Sequence, residues 1–188
     1  MKTLTLIFLL AFCVIKFPAQ AQIRQGDIMI GGNLANLNLG LNDAKNFSFD
    51  ISPKAALFFI DNLAVGLYLN LGIETAKDAG TATKYGAGLL LRRYANSNIE
   101  ILSHGRLFGE ATLGVGGMNV TKGGGNTNGL DFSVGPGFAY FISPNLGLET
   151  LLKYNGLAGF GNEGYRSNIN LSFGFQIYLP RKATDRVK

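Results

Sequence analysis

The side chains that could do chemistry in this chain are few and far apart. The single histidine, His104, stands beside Ser103 and Gly105. A hydroxyl nucleophile and an imidazole base would suit acyl transfer, but that reaction also needs an orienting group and an oxyanion site within reach. Here the pair falls in a polar connection, and a solvated turn histidine is the expectation. Gly114 and Gly116 form a GxG that invites a phosphate-loop reading. Such a loop needs a strand running into a helix, whereas here the alternation of apolar residues continues as strand. The segment GGGNTNG at 123–129 reads as an outer loop, and Asp131 with its neighbouring carboxylates lacks the spacing of a calcium loop. No catalytic residue, cofactor or metal site is expected.

What remains is a set of isolated charges: Asp50, Lys54, Glu74, Lys84, Arg92, Glu110, Asp131, Glu149 and Lys153. Each is embedded in an alternating apolar segment. Charges so placed must pair or be hydrated, because a lone buried charge is costly. Glu74 with Lys84, and Arg92 with Glu110, are the expected neighbours, each on adjacent strands of one hairpin.

The elements that must position them are strands. In LAVGLYLNLGI, Leu63, Val65, Leu67, Leu69, Leu71 and Ile73 share one face, while Ala64, Gly66, Tyr68, Asn70 and Gly72 share the other. A period of two is the mark of a strand, and about 11 residues at a tilt is the length that crosses a bilayer. The pattern recurs, predicting strands at 28–41, 47–60, 63–75, 83–95, 106–120, 129–142, 145–156 and 167–179. Eight is an even number that allows closure, which removes sheet edges. The expected fold is all-β: a closed eight-stranded antiparallel up-and-down transmembrane β-barrel.

Connections at 61–62 and 143–144 are short, while those at 42–46, 76–82, 121–128 and 157–166 are longer and polar. Short periplasmic turns and long outer loops are the asymmetry of such barrels. The connection at 96–105 departs from it by being long on the periplasmic side. In the first strand Ile28 and Ile30 take one phase and Leu37, Leu39 and Leu41 the other, which predicts a β-bulge near 32–36. The stretch from Phe59 to Val65 echoes that from Phe141 to Leu148, each an aromatic strand end, a tight turn and an apolar restart.

The ends read differently. Lys2, an apolar run from Leu4 to Ile15, and Ala19, Gln20 and Ala21 predict a secretory signal over 1–21 that carries away Cys13. About 167 residues then remain, enough for one domain, expected over 22–180. Without Lys2 and Lys16 the net charge falls from +5 to +3. The tail at 181–188, with Arg181, Lys182, Arg186 and Lys188 against Asp185, supplies that excess. Contact with anionic headgroups or a periplasmic polymer is its functional reading. No basic face carries stacking aromatics, so nucleic acid is not an expected partner.

The segments YFISPNLGLE at 140–149, LLLRRY at 89–94, FGEATLGVG at 108–116 and NLSFGFQIYL at 170–179 resemble the outer-membrane β-barrel domain of porin-family and OmpA-like proteins from Gram-negative bacteria. The last of them looks like the assembly signal of such barrels, with Ile177 and Leu179 where aromatics are usual. The resemblance implies residence in the cell outer membrane, contact with outer-membrane lipids, and recognition by the barrel assembly machinery during insertion. An extracellular ligand would meet the outer loops.

Within that frame Phe58, Tyr94, Phe108, Phe141 and Tyr178 are expected to face inward at the periplasmic end as an aromatic plug, with a small hydrated cavity opening outward. A small barrel can be filled by its own side chains. The expected function is a structural or surface-interaction barrel with a plugged lumen and no catalysis. The alternatives are a narrow porin-like pore lined by Lys54, Arg92, Glu110, Glu149 and Lys153, and a lipid-modifying barrel enzyme using Ser103 or His104. A soluble lipocalin-like barrel would bury the apolar face instead.

Overall fold

The computed structural model describes residues 23–39, 47–76, 80–96, 104–121, 127–160 and 164–181, the side chains of 36–39 and 76 excepted. The expected leader at 1–21, Ser103 and all of the basic tail except Arg181 lie outside them. Eight strands follow in order: β1 (Ile28–Leu39), β2 (Phe47–Ile60), β3 (Leu63–Ala76), β4 (Gly80–Tyr94), β5 (Gly105–Val120), β6 (Thr127–Ser143), β7 (Leu146–Gly159) and β8 (Tyr165–Leu179). Each pairs with the next, and β8 returns to β1 to close the barrel. The closing seam is antiparallel from Ile28↔Leu179 to Ala35↔Ser172.

Strand length exceeds what a bilayer requires. β5 and β6 run 16 and 17 residues, which at about 3.4 Å per residue and a tilt of about 40° spans roughly 40 Å, against a hydrocarbon core of about 30 Å. The surplus lies at the end carrying the loops, where β4 starts at Gly80, β6 at Thr127 and β8 at Tyr165, all earlier than the apolar alternation predicts. Polar residues continue the ladder there. The hydroxyls of Thr75 and Thr81 meet at 3.2 Å, and the Thr81 N–H donates to Thr121 Oγ1 at 2.9 Å.

At the opposite end, the turn end, β2 and β3 are joined through Asp61 and Asn62, and β6 and β7 through Pro144 and Asn145. Asn62 takes a left-handed φ of 66°, which asparagine tolerates better than most residues. Both chain ends of the barrel are tied here: Gly26 N–H donates to Phe58 O at 2.7 Å, and Gln25 N–H to Asp61 Oδ1 at 2.8 Å. The Arg181 N–H reaches Asp27 Oδ1 at 3.3 Å.

The echo between the two hairpins is structural, with a register one residue away from the one read in the sequence. Phe58 pairs with Ala64 and Phe141 with Gly147, and each hairpin then shifts register by one residue before its turn. Phe58, not Phe59, is therefore the counterpart of Phe141. Pro53 and Pro136 precede these aromatics by the same distance, and the pairing of β2 with β3 and of β6 with β7 skips both prolines, which have no N–H to give a ladder. In β1 the phase change is made by a register shift between Ala35 and Asn38.

The faces separate by chemistry. Leu67, Leu89 and Phe173 are 63%, 60% and 59% exposed on the outside, with Ile30, Leu113, Val134, Leu152 and Leu171 in the same belt. Among the described residues the outward face of the strands carries one formal charge, Arg93, next to the turn end of β4. Inside lie Lys54, Arg92, Glu110, Glu149, Lys153 and Gln176, all buried. This is the inverse of a lipocalin-like arrangement, since the apolar face looks out.

Candidate functional site

The interior is built in layers. Nearest the turn end lie Phe58, Tyr94, Phe108, Phe141 and Tyr178, all buried. Their rings pack as a continuous group, with centroids 6.1 Å apart for Phe58 and Tyr94, 5.4 Å for Tyr94 and Phe108, and 5.2 Å for Phe141 and Tyr178. The hydroxyls of Tyr94 and Tyr178 share a hydrogen bond of 2.6 Å. Glycine makes this layer possible at one crossing: Gly137 pairs with Phe108, and a Cβ there would strike the Phe108 ring.

Directly above sits an ion cluster centred on Arg92, whose side chain has no exposed surface. Its Nη1 donates to Glu149 Oε2 at 2.6 Å, its Nη2 to Glu149 Oε1 at 3.1 Å, and its Nε to Glu110 Oε2 at 2.9 Å. Nη2 also pairs with Glu110. Lys54 Nζ closes the circuit with Glu110 Oε1 and Oε2 at 2.9 and 3.0 Å, and Gln176 Nε2 donates to Glu149 Oε1 at 2.9 Å. The cluster is tied to the aromatic layer. Arg92 Nη1 donates to Tyr94 OH at 3.0 Å, and its guanidinium lies 4.1 Å from the centre of the Phe108 ring. Five strands, β2, β4, β5, β7 and β8, contribute to this layer, so it spans the lumen.

Toward the loop end the packing loosens. The Thr112 and Ser133 hydroxyls meet at 2.7 Å, and Asp131 accepts from Tyr68 OH at 2.9 Å and Asn70 Nδ2 at 3.2 Å. Above them a cavity of about 300 Å³ is lined by residues that include Asn33, Asp50, Asn70, Lys84, Asp131, Lys153, Asn155 and Asn170. At its mouth Lys84 bridges Glu74 at 3.2 Å, with both side chains substantially exposed.

Both ion pairs expected between hairpin neighbours are present. Arg92 and Glu110 are direct partners across β4 and β5, and Glu74 and Lys84 lie diagonally across β3 and β4. Sequence reasoning missed the contacts across the lumen, Lys54 to Glu110 and Arg92 to Glu149, and passed over Met29, Asn33, Leu90, Leu151 and Gln176. Strand parity was the available signal: Leu90 and Leu151 share the phase of Arg92 and Glu149, and Met29, Asn33 and Gln176 take the phase opposite to the apolar Ile28, Ile30, Phe175 and Ile177.

The outside has its own polar features. Phe132 stacks on Tyr165 with centroids 6.3 Å apart and flanks Tyr154 at 6.4 Å, while Tyr85 OH donates to Asn128 Oδ1. With Phe59 and Tyr140 near the turn end, this puts aromatics at both rims of the belt, the places they occupy at membrane interfaces. His104 sits edge-on to Tyr140 with centroids 6.1 Å apart, and its carbonyl accepts from Phe141 N–H. Among the described residues no group of three or more His, Cys, Asp or Glu is placed to hold a metal ion.

No family model matches the sequence, and no curated protein does. Solved structures are similar. Neisserial surface protein A (NspA) has 19% identity and a TM-score of 0.55, over 80% of this chain and 94% of that one. The N-terminal β-barrel domain of Pseudomonas aeruginosa OprF has 13% identity and a TM-score of 0.55, over 82% and 98%. Ail, the attachment invasion locus protein of Yersinia pestis, has 13% identity and a TM-score of 0.51, over 82% and 99%. At such identities the likeness is one of fold: this chain has the fold of the small eight-stranded outer-membrane β-barrels.

Proposed function

We propose that the protein is an integral outer-membrane barrel with a sealed lumen, serving a structural or surface-interaction role without catalysis. The observation that carries this reading is the Arg92 cluster, which draws on five strands and rests on a layer of packed rings. An open pore would leave such charges hydrated, whereas here Arg92, Glu110 and Glu149 are consumed by one another. The turn end, where both ends of the barrel chain meet, is the periplasmic side, and the cavity faces outward.

The exposed apolar belt is the lipid contact. Phe173, Phe175, Ile177 and Leu179 extend it along β8, the strand that would be offered to the barrel assembly machinery. Two of the similar structures bear names that speak of a surface protein and of attachment, in keeping with a partner met at the outer loops.

Recording from planar bilayers tests the seal. The protein, shown to be folded by heat-modifiable migration, is expected to give no stable conductance approaching that of a general porin. A steady open level of that size would establish the porin-like alternative, with Lys54, Arg92, Glu110, Glu149 and Lys153 along the path.

A further inference from the structure

The cavity above the ion cluster contains polar groups that the protein itself leaves unanswered. Asn33, on β1, is 2% exposed, and neither its Nδ2 nor its Oδ1 has a hydrogen-bond partner. Asn170 Oδ1, on β8, is also buried without one. Both line the cavity. Buried amides are ordinarily satisfied, and leaving such groups unpaired is costly. A third group sits beside them. Lys153, the register partner of Asn170 on β7, is buried, lines the same cavity, and takes part in none of the ion pairs found among the described residues.

Charge makes the gap specific. In the buried layer Lys54 and Arg92 hold both carboxylates, Glu110 and Glu149, which leaves Lys153 without an ion-pair partner among the described residues. Two further acids, Asp50 and Asp131, line the same cavity, and Asp131 accepts from the neutral donors Tyr68 OH and Asn70 Nδ2. Water would satisfy the amides but would not neutralise the ammonium. An anion would, and its bond to Lys153 would be of the stronger, charge-assisted kind. An amide side chain offers a donor and an acceptor side by side, and a hydroxyl both donates and accepts. The walls are rich in such amides, with Asn70 and Asn155 adding to Asn33 and Asn170. The cavity of about 300 Å³ has room for roughly ten waters, or for one molecule of five or six carbons.

We propose that the outward cavity is a binding site for a small polyhydroxylated carboxylate, a sugar acid, whose carboxylate rests on Lys153 and whose hydroxyls engage Asn33 and Asn170. The site goes beyond the sealed-barrel reading and is independent of it, since a floor that leaked ions would still present the same three groups.

Titration of the full chain in detergent micelles with sodium gluconate tests the proposal, followed by calorimetry and by the side-chain amide signals of the asparagines. Saturable binding is expected, with the signals of Asn33 and Asn170 moving. Sorbitol, which keeps the hydroxyls and lacks the charge, and acetate, which keeps the charge and lacks the hydroxyls, should each bind at least about tenfold more weakly. Lys153→Met should weaken gluconate by about tenfold or more while heat-modifiable migration is retained. Should that variant not fold, the wild-type comparison of the three probes decides alone. Absence of saturable gluconate binding, equal binding of sorbitol, or an unchanged affinity in folded Lys153→Met would overturn the site.

Discussion

Arg92 is the residue on which the interior turns. Its planar fork reaches two carboxylates from different strands while its face lies on Phe108, a geometry that an ammonium cannot copy. Arg92→Met would leave Glu110 and Glu149 sharing Lys54 in a dry layer. Removing one partner of a buried pair costs about 3–5 kcal/mol. The expected outcome is a fall of that size in stability, read from the urea midpoint of the detergent-folded protein. The double variant Arg92→Met with Glu149→Gln should be less damaged, because the one carboxylate that remains, Glu110, keeps Lys54 as its partner. A single variant as stable as the wild type would show that water already serves the cluster. That Arg92 faces inward was legible in LLLRRY, where Leu89, Leu91 and Arg93 take the other phase. Its bond to Glu110 was legible too, since the two meet across one hairpin. Its bond to Glu149 was not, because a contact across the lumen depends on the stagger of the closed barrel, which no local pattern records.

At the scale of the strand, alternation does the work. β3 sends Leu67, Leu69 and Leu71 outward and Tyr68 and Asn70 inward, and Tyr68 and Asn70 both reach Asp131. A charge on the outer face should therefore cost an amount that depends on depth. Leu67→Arg, near the middle of the belt, is expected to destabilise by about 2–4 kcal/mol, and Leu179→Arg, at the turn end, by about 0–1 kcal/mol. Refolding into lipid vesicles and measuring unfolding in denaturant checks the difference, and equal costs at the two positions would contradict a lipid-facing belt. Strand limits were the less legible part. The ladders continue at the loop end through Thr81, Thr127 and Tyr165, residues that read as loop although their backbones still pair. Hydrophobic period reports where lipid stops, not where hydrogen bonding stops.

For the whole molecule the question is which layer keeps the lumen shut. The rings and the ion cluster lie one above the other, and they fail differently. Phe58, Phe108 and Phe141 close the turn end by volume alone, whereas Arg92, Glu110, Glu149, Lys54 and Gln176 close the next level by mutual attraction. Truncating the three phenylalanines to alanine opens space beneath the cluster but leaves its bonds in place, so ions still meet a barrier of paired charges. Planar-bilayer recording of the folded triple variant is expected to show no conductance above background. Adding Arg92→Ala and Glu149→Ala removes the centre of the cluster, and a steady ionic current is then expected. Current in the triple variant would assign the seal to the rings. Continued silence in the quintuple variant would assign it to the layer above, where Tyr68, Leu90 and Leu151 remain buried across the lumen.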